Sequence, residues 1–379
     1  MFDFFSVPRI TFGVGRISAI ADLAAPLGTS ILVVYNGGEA VLAKISDHLN
    51  LASLKIVPHR QKGEPTVPDI DAGLDAARRG KCTGVIGIGG GSAIDAAKAI
   101  AGLLSNGGPA VDYLEVIGAG KKITLPAAPW IAIPATAGTG AEVTRNAVIG
   151  EPSKQFKASI RSELLLPLVA LVDPELGIGV PANVTAASGM DALCQCIEAY
   201  VSVGANPMTE ALALEGVALA AAALPRAFKN EADIDARSDM AMAALISGIC
   251  LTNAGLGAVH GFAAPIGANY PVPHGVVCAA LLPHALRANA AAGVRQKCAV
   301  LGGILAPQSD RPAAEMHFAA ADAVLALNAE LRIPRLSQYG MTEASIAPMV
   351  ALAKKASSMK FNPVVLPDDV LAEMLRRAL

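Results

Sequence analysis

From the first residue to about position 178 the chain alternates short β-rich apolar runs with stretches of helical period, the pattern of βαβ units and a parallel sheet covered by helices. The run Ser30 to Tyr35 is apolar almost throughout, as a strand buried on both faces must be. It enters the turn Asn36-Gly37-Gly38-Glu39 and then a helix predicted over 40–50. Further strands are predicted at Leu51 to Val57, Gly84 to Ile88, Trp130 to Ile133 and Ala170 to Val172, with helices at 67–79 and 93–104. From Pro181 onward β-branched alternation disappears. Long Ala- and Leu-rich helical segments are predicted over 182–201, 207–227, 235–253, 257–268, 276–290, 292–304, 312–330 and 342–356. The pattern divides the chain into an α/β domain, residues 1–178, and an all-helical domain, residues 179–379, joined at a hinge with a cleft.

Two stretches in the first domain carry candidate chemistry. Gly84 to Ile88 leads directly into Gly89-Gly90-Gly91-Ser92 and a helix, so backbone can approach a phosphate while the helix N-terminus offers unpaired N–H groups. Ser92 is expected to act as helix cap and ligand together. The spacing is neither G-x-G-x-x-G nor that of a P-loop, and a structural turn is an equal reading of these glycines alone. Asp95 and Lys98 follow in the first two turns. Pro134 to Thr144 is a second cradle of small residues and hydroxyls, in which Thr136, Thr139 and Thr144 can donate to phosphate or ribose oxygens.

In the second domain, Asp191 and Gln195 lie four residues apart in an apolar helix and so share a face. A carboxylate facing inward there needs a cation, a proton or strong donors. His260 and His274, fourteen residues apart in another apolar, Gly-rich region, can supply imidazoles to the same point. Asp191, Gln195, His260 and His274 are therefore the candidate metal ligands.

Composition narrows the reading without redirecting it. With 379 residues, 53% of them hydrophobic, 16% charged and a net charge of −2, the chain suits a compact soluble enzyme and disfavours nucleic acid or anionic membrane as partners. Ala211 to Leu224 reads as too short for a membrane span and is interrupted by Glu215. The N-terminus reads poorly as a secretory signal, so the cytoplasm is the expected compartment. Cys82, Cys194, Cys196, Cys250, Cys278 and Cys298 show no framework spacing and are expected to be buried thiols.

The motifs together resemble the iron-containing (group III, metal-dependent) alcohol dehydrogenase family over essentially the whole chain. They are Phe12-Gly13-x-Gly15, Gly89 to Ser92 with Asp95 and Lys98, Pro134 to Thr144, Asp173-Pro174, Gly189-Met-Asp-Ala-Leu193, Val259-His260-Gly261, Pro273-His274-Gly275 with Leu281-Leu-Pro283, and Asn362-Pro363. The resemblance implies a dinucleotide-binding domain of dehydroquinate synthase-like type, a helical metal and substrate domain, and hydride transfer between a small alcohol or aldehyde and NAD(P). It places the pyrophosphate on the glycine loop, with Thr136, Thr139 and Asn146 as cofactor contacts. Asp95 and Lys157 would line the nicotinamide and ribose end, and Asp95, Lys157 and His260 form the implied catalytic set. A divalent ion, Fe²⁺ or Zn²⁺, would sit on Asp191, Gln195, His260 and His274, and a homodimer is expected.

Two positions depart from the family's pattern: Gln195 replaces a metal-binding histidine and Ala264 a histidine linked to proton transfer. The first departure raises an alternative, a metal-independent reductase similar to the maleylacetate reductases; a non-catalytic dinucleotide-binding protein is another. The uncharged turn Asn36-Gly37-Gly38 leaves room for the 2′-phosphate of NADP, and the balance falls slightly to NADP over NAD, with Glu39 opposing it.

Overall fold

The computed structural model describes residues 1–154 and 156–379, in two compact units. One comprises Phe5–Thr136 and Gly140–Ile178, the other Met1–Phe4, Ala137–Thr139 and Gly179–Leu379. The fold class read from the sequence holds: a parallel sheet covered by helices in the first, helices alone in the second.

The α/β unit runs β1 (Arg9–Phe12), α1 (Ile20–Ala24), β2 (Ser30–Tyr35), α2 (Glu39–Leu51), β3 (Lys55–Arg60), α3 (Val67–Gly80), β4 (Gly84–Gly89), α4 (Gly91–Asn106) and β5 (Trp130–Pro134). It continues with β6 (Asn146–Glu151), β7 (Phe156–Arg161) and β8 (Val169–Val172). Six strands form one sheet in the order β1-β8-β5-β4-β2-β3, every neighbouring pair parallel. Strand periodicity sorts side chains between its faces. Leu32, Val34, Val85, Trp130 and Ala132 join one core with α3 and α4, while Ile31, Val33, Ile86, Ile131 and Ile133 join a second core on the opposite face with α1 and α2.

Several details differ from expectation, β1 and α1 among them, which the sequence pattern did not mark. The strand placed at 51–57 lies at Lys55–Arg60, because α2 runs on through Leu51 and reverses at Ser53, whose φ of 59° is left-handed. β6 and β7 pair as an antiparallel hairpin with Asn146 opposite Arg161, a feature the sequence pattern did not declare. Ser92 does not cap α4: Gly90 is the cap residue and Ser92 falls inside the first turn.

The helical unit contains α5 (Ala182–Val201), α6 (Pro207–Lys229), α7 (Ile234–Ala254), α8 (Ala258–Asn269), α9 (His274–Ala291), α10 (Arg295–Leu305), α11 (Ala319–Glu330), α12 (Ile346–Ala353) and α13 (Asp368–Ala378). The middle of α5, from Gly189 to Val201, is buried without interruption, which makes it the axis of this unit. Asn206 caps α6 through the N–H groups of Met208 and Thr209, Thr209 caps back, and Pro207 occupies the first turn where its missing donor is harmless. At 23 residues α6 is longer than the sequence suggested and is apolar enough to cross a membrane by length and composition. Here its Ala213, Val217, Ala220, Ala223 and Leu224 side is buried in the core that also contains residues of α5 and α7.

Candidate metal and nucleotide sites

On α5 the positions 191, 195 and 198 fall on one buried stripe and carry Asp, Gln and Glu. Glu198 meets the start of α8: its Oε1 accepts from Val259 N at 2.7 Å, its Oε2 from His260 N at 3.4 Å. A carboxylate suits the positive end of a helix. The approach requires glycine before α8, since a Cβ on Gly257 would stand 2.9 Å from Glu198 Oε1. The same carboxylate lies 2.6 Å from His260 Nδ1. That fixes the imidazole, because the ring must donate Nδ1–H to Glu198 and turns Nε2 away.

Nε2 of His260 then points at Asp191 Oδ1, 3.2 Å away, and Nε2 of His274, the first residue of α9, is 3.5 Å from the same oxygen. Cys278, one turn along α9, places Sγ 3.6 Å from each Nε2. Ligand atoms of Asp191, His260, His274 and Cys278 all lie within 4.8 Å of one another. Burial tends to raise the Asp191 pKa, but the imidazoles of His274 and His260 outweigh it and hold the carboxyl well below its ordinary range. Burial opposes a charge on His260, yet the Cys278 sulfur and the Asp191 and Glu198 carboxylates draw its pKa well above the usual value. A neutral His260 would set a lone pair against a carboxylate oxygen. A proton on Nε2 or a cation at the centre meets that demand, and the donors gathered here are those of a divalent transition metal.

Asp191, His260 and His274 thus converge as the sequence led us to expect. Gln195 is buried beside them on the same helix, with Oε1 3.4 Å from Ser247 Oγ. Sequence reasoning missed Glu198 and Cys278. Helical spacing is the one signal they gave, Glu198 seven residues after Asp191 and Cys278 four after His274.

In the α/β unit, Asn36, Gly89, Gly90 and Thr136 meet at the ends of β2, β4 and β5. Asn36 Oδ1 accepts from Gly90 N at 2.9 Å. Gly89 has φ of 141°, and a Cβ there would collide with Asn36 Oδ1, so only glycine closes the loop. No side chain caps α4, which leaves the first-turn N–H groups of Gly91 and Ser92 available to an anion. Gly37 and Gly38 complete the turn into α2, where Tyr35 Oη donates to Glu39 Oε1 at 2.7 Å.

Behind the loop, Lys98 is fully buried and donates to Ala141 O at 2.9 Å, Thr144 Oγ1 at 2.7 Å and Asn146 O at 2.7 Å. Its partner Asp95 is 3.5 Å away and accepts from Val148 N. Asn146 Oδ1 is buried with no hydrogen-bond partner among the described residues, an acceptor that a bound nucleotide would satisfy. Lys157 on β7 pairs with Glu64. Thr139 falls in the helical unit and Thr136 in the α/β unit, so these two expected cofactor contacts belong to different bodies.

A βα loop shaped for phosphate, in a chain that also gathers acid, imidazole and thiol donors around one point, defines a nucleotide-linked oxidoreductase of the metal-using type. The family models for "Iron-containing alcohol dehydrogenase" and "Fe-containing alcohol dehydrogenase family, C-terminal" match residues 8–174 and 185–379. A 1,3-propanediol dehydrogenase of Citrobacter freundii is 35% identical, the alignment covering 100% of this chain and 99% of that one. An NAD-dependent methanol dehydrogenase of Bacillus methanolicus is 31% identical with 100% of both chains covered. A solved 1,3-propanediol oxidoreductase structure superposes with a TM-score of 0.94 at 32% identity, again over 100% of both chains. The chain belongs to the iron-containing alcohol dehydrogenase family, oxidoreductases acting on CH–OH groups.

Proposed function

We propose that the protein interconverts a small alcohol and its aldehyde with NAD as hydride carrier, using a divalent metal held by Asp191, His260 and His274. The observation that carries the reading is the convergence of both Nε2 atoms on Asp191 Oδ1. A divalent ion there supplies Lewis acidity toward an alcohol or aldehyde oxygen. The chain's own residues do the rest. Glu198 fixes the His260 tautomer and ring orientation; the glycine loop and the α4 N-terminus receive the pyrophosphate; Asn36 keeps that loop closed. No histidine stands at position 264, so no imidazole there takes up the reaction proton.

Gln195 favours one rival, the metal-independent reductase. Chelation separates the two. Dialysis of the purified protein against a strong chelator should remove about one ion per chain and abolish aldehyde reduction by NADH, with recovery on adding Zn²⁺ or Fe²⁺. Full activity in an ion-free preparation would establish the rival.

The sequence tilts toward NADP, but the side chains favour NAD. Tyr35 fixes Glu39 by a hydrogen bond at the end of β2, next to the turn that would receive the adenosine ribose, where a carboxylate accepts from ribose hydroxyls and repels a 2′-phosphate. NAD⁺ should therefore exceed NADP⁺ in kcat/KM by about tenfold or more, equivalent to roughly 1.4 kcal/mol, and Glu39→Ala should narrow that ratio. Steady-state kinetics with both cofactors decide it, and an unchanged ratio in the variant would remove Glu39 from the selection. The proposal extends to a cytoplasmic homodimer; the six cysteines, all free, favour a reducing compartment.

A further inference from the structure

The set around Asp191 contains a donor that the sequence reading did not name as a ligand, Cys278. A tetrahedral zinc site with Zn–S of about 2.3 Å and Zn–N and Zn–O of about 2.0 Å sets sulfur about 3.6 Å from each nitrogen and nitrogen about 3.3 Å from oxygen. Cys278 Sγ lies 3.6 Å from His260 Nε2 and 3.6 Å from His274 Nε2, and those nitrogens lie 3.2 and 3.5 Å from Asp191 Oδ1. These four separations match edges of a tetrahedral coordination sphere, and all four donor atoms lie within 4.8 Å of one another.

We propose that Cys278 is a direct metal ligand, completing an Asp191–His260–His274–Cys278 set in place of the histidine lost at position 195, and that it makes the site selective for Zn²⁺ over Fe²⁺. This rests on the metal reading above and specifies its ligands. The thiol releases its proton to solvent as the sulfur–metal bond forms. Charge supports the assignment: one carboxylate and one thiolate neutralise a dication in a buried setting, with two neutral imidazoles completing the set. Softness supports the metal, since thiolate favours zinc where oxygen and nitrogen donors alone discriminate less. The Gln195 oxygen faces Ser247. The His274 side chain, 39% exposed, marks the solvent side of the cluster.

A second thiol, Cys194, groups with Glu198 and His260. That group offers only three donors, and the Glu198 carboxylate already occupies His260 Nδ1. It serves as the control.

The test is optical and needs no turnover. Metal-free full-length protein is titrated anaerobically with Co²⁺ and read in the near ultraviolet for thiolate-to-cobalt charge transfer. The expected result is one Co²⁺ per chain with an intense thiolate band, lost in Cys278→Ser and kept in Cys194→Ser. Competition with a chromophoric chelator should show Cys278→Ser binding Zn²⁺ at least about 10–100-fold more weakly than the wild type, with a smaller loss for Fe²⁺. Cobalt bound by the wild-type chain without the band overturns the ligand assignment and leaves the metal reading standing. No cobalt bound at all overturns both. A band that survives Cys278→Ser and disappears in Cys194→Ser transfers the role to Cys194 and refutes the proposal.

Discussion

Asp191→Asn is expected to lower kcat/KM for alcohol oxidation by about a thousandfold or more, roughly 4 kcal/mol of lost transition-state stabilisation, while the protein still folds. Asparagine is nearly the same size, so the buried stripe of α5 loses a charge without gaining a cavity. Asp191 is 2% exposed and is the carboxylate toward which both imidazole nitrogens point. Removing its charge deprives a bound dication of a charge-balancing ligand in a setting where solvent cannot replace it. It also sets an amide N–H₂ or a neutral carbonyl against nitrogens oriented for a cation. Metal content by elemental analysis should fall together with activity. A variant that keeps a full complement of metal and activity within tenfold of the wild type would remove Asp191 from the centre.

Why that carboxylate could be read from the sequence, and Cys278 could not, is a matter of chemical contrast. An acid within an apolar helix has no bland explanation, because burial without a partner costs several kcal/mol. A cysteine among Val277, Ala279 and Leu281 does have one, since free cysteine is among the most buried residues and packs as a small hydrophobe. Glu198 was hidden differently. It holds His260 from behind and acts on a helix start about sixty residues further along, which only folding brings near.

The same contrast governs the fold. β2 was read to its exact ends because a strand buried on both faces is apolar throughout. β6 and β7 mix exposed and buried positions with Gly150 and charged residues, so no strand pattern stood out. α13 was overlooked although Leu371, Met374, Leu375 and Ala378 keep helical spacing, because acids at its start and arginines at its end made it unlike the Ala- and Leu-rich segments before it. Those charges complement the helix dipole at both ends.

The largest effect on stability is expected from Lys98→Met, about 3–5 kcal/mol, seen as a fall in the midpoint of denaturant unfolding. Methionine is close to lysine in length and shape, so the loss is electrostatic and leaves packing largely intact. The ammonium group holds Asp95 on its own helix and three oxygens beyond it, from Ala141, Thr144 and Asn146. It thereby fastens the segment leading into β6 to the helix that follows the glycine loop. Burial drives the pair toward neutrality, raising the Asp95 pKa and lowering that of Lys98, while each opposes the shift in the other. With methionine at 98, Asp95 keeps the Val148 N–H donor at 3.1 Å and has no cation in contact, so it must take up a proton or remain as an uncompensated charge. The double variant Asp95→Asn/Lys98→Met removes that charge and should recover part of the loss, and the double-mutant cycle isolates the pair from the oxygens it also binds. Weaker NAD⁺ binding should accompany the single variant, because the loop and the start of α4 move with the segment Lys98 anchors. Lys98→Met within about 1 kcal/mol of the wild type would show that this buried ammonium contributes little net stability.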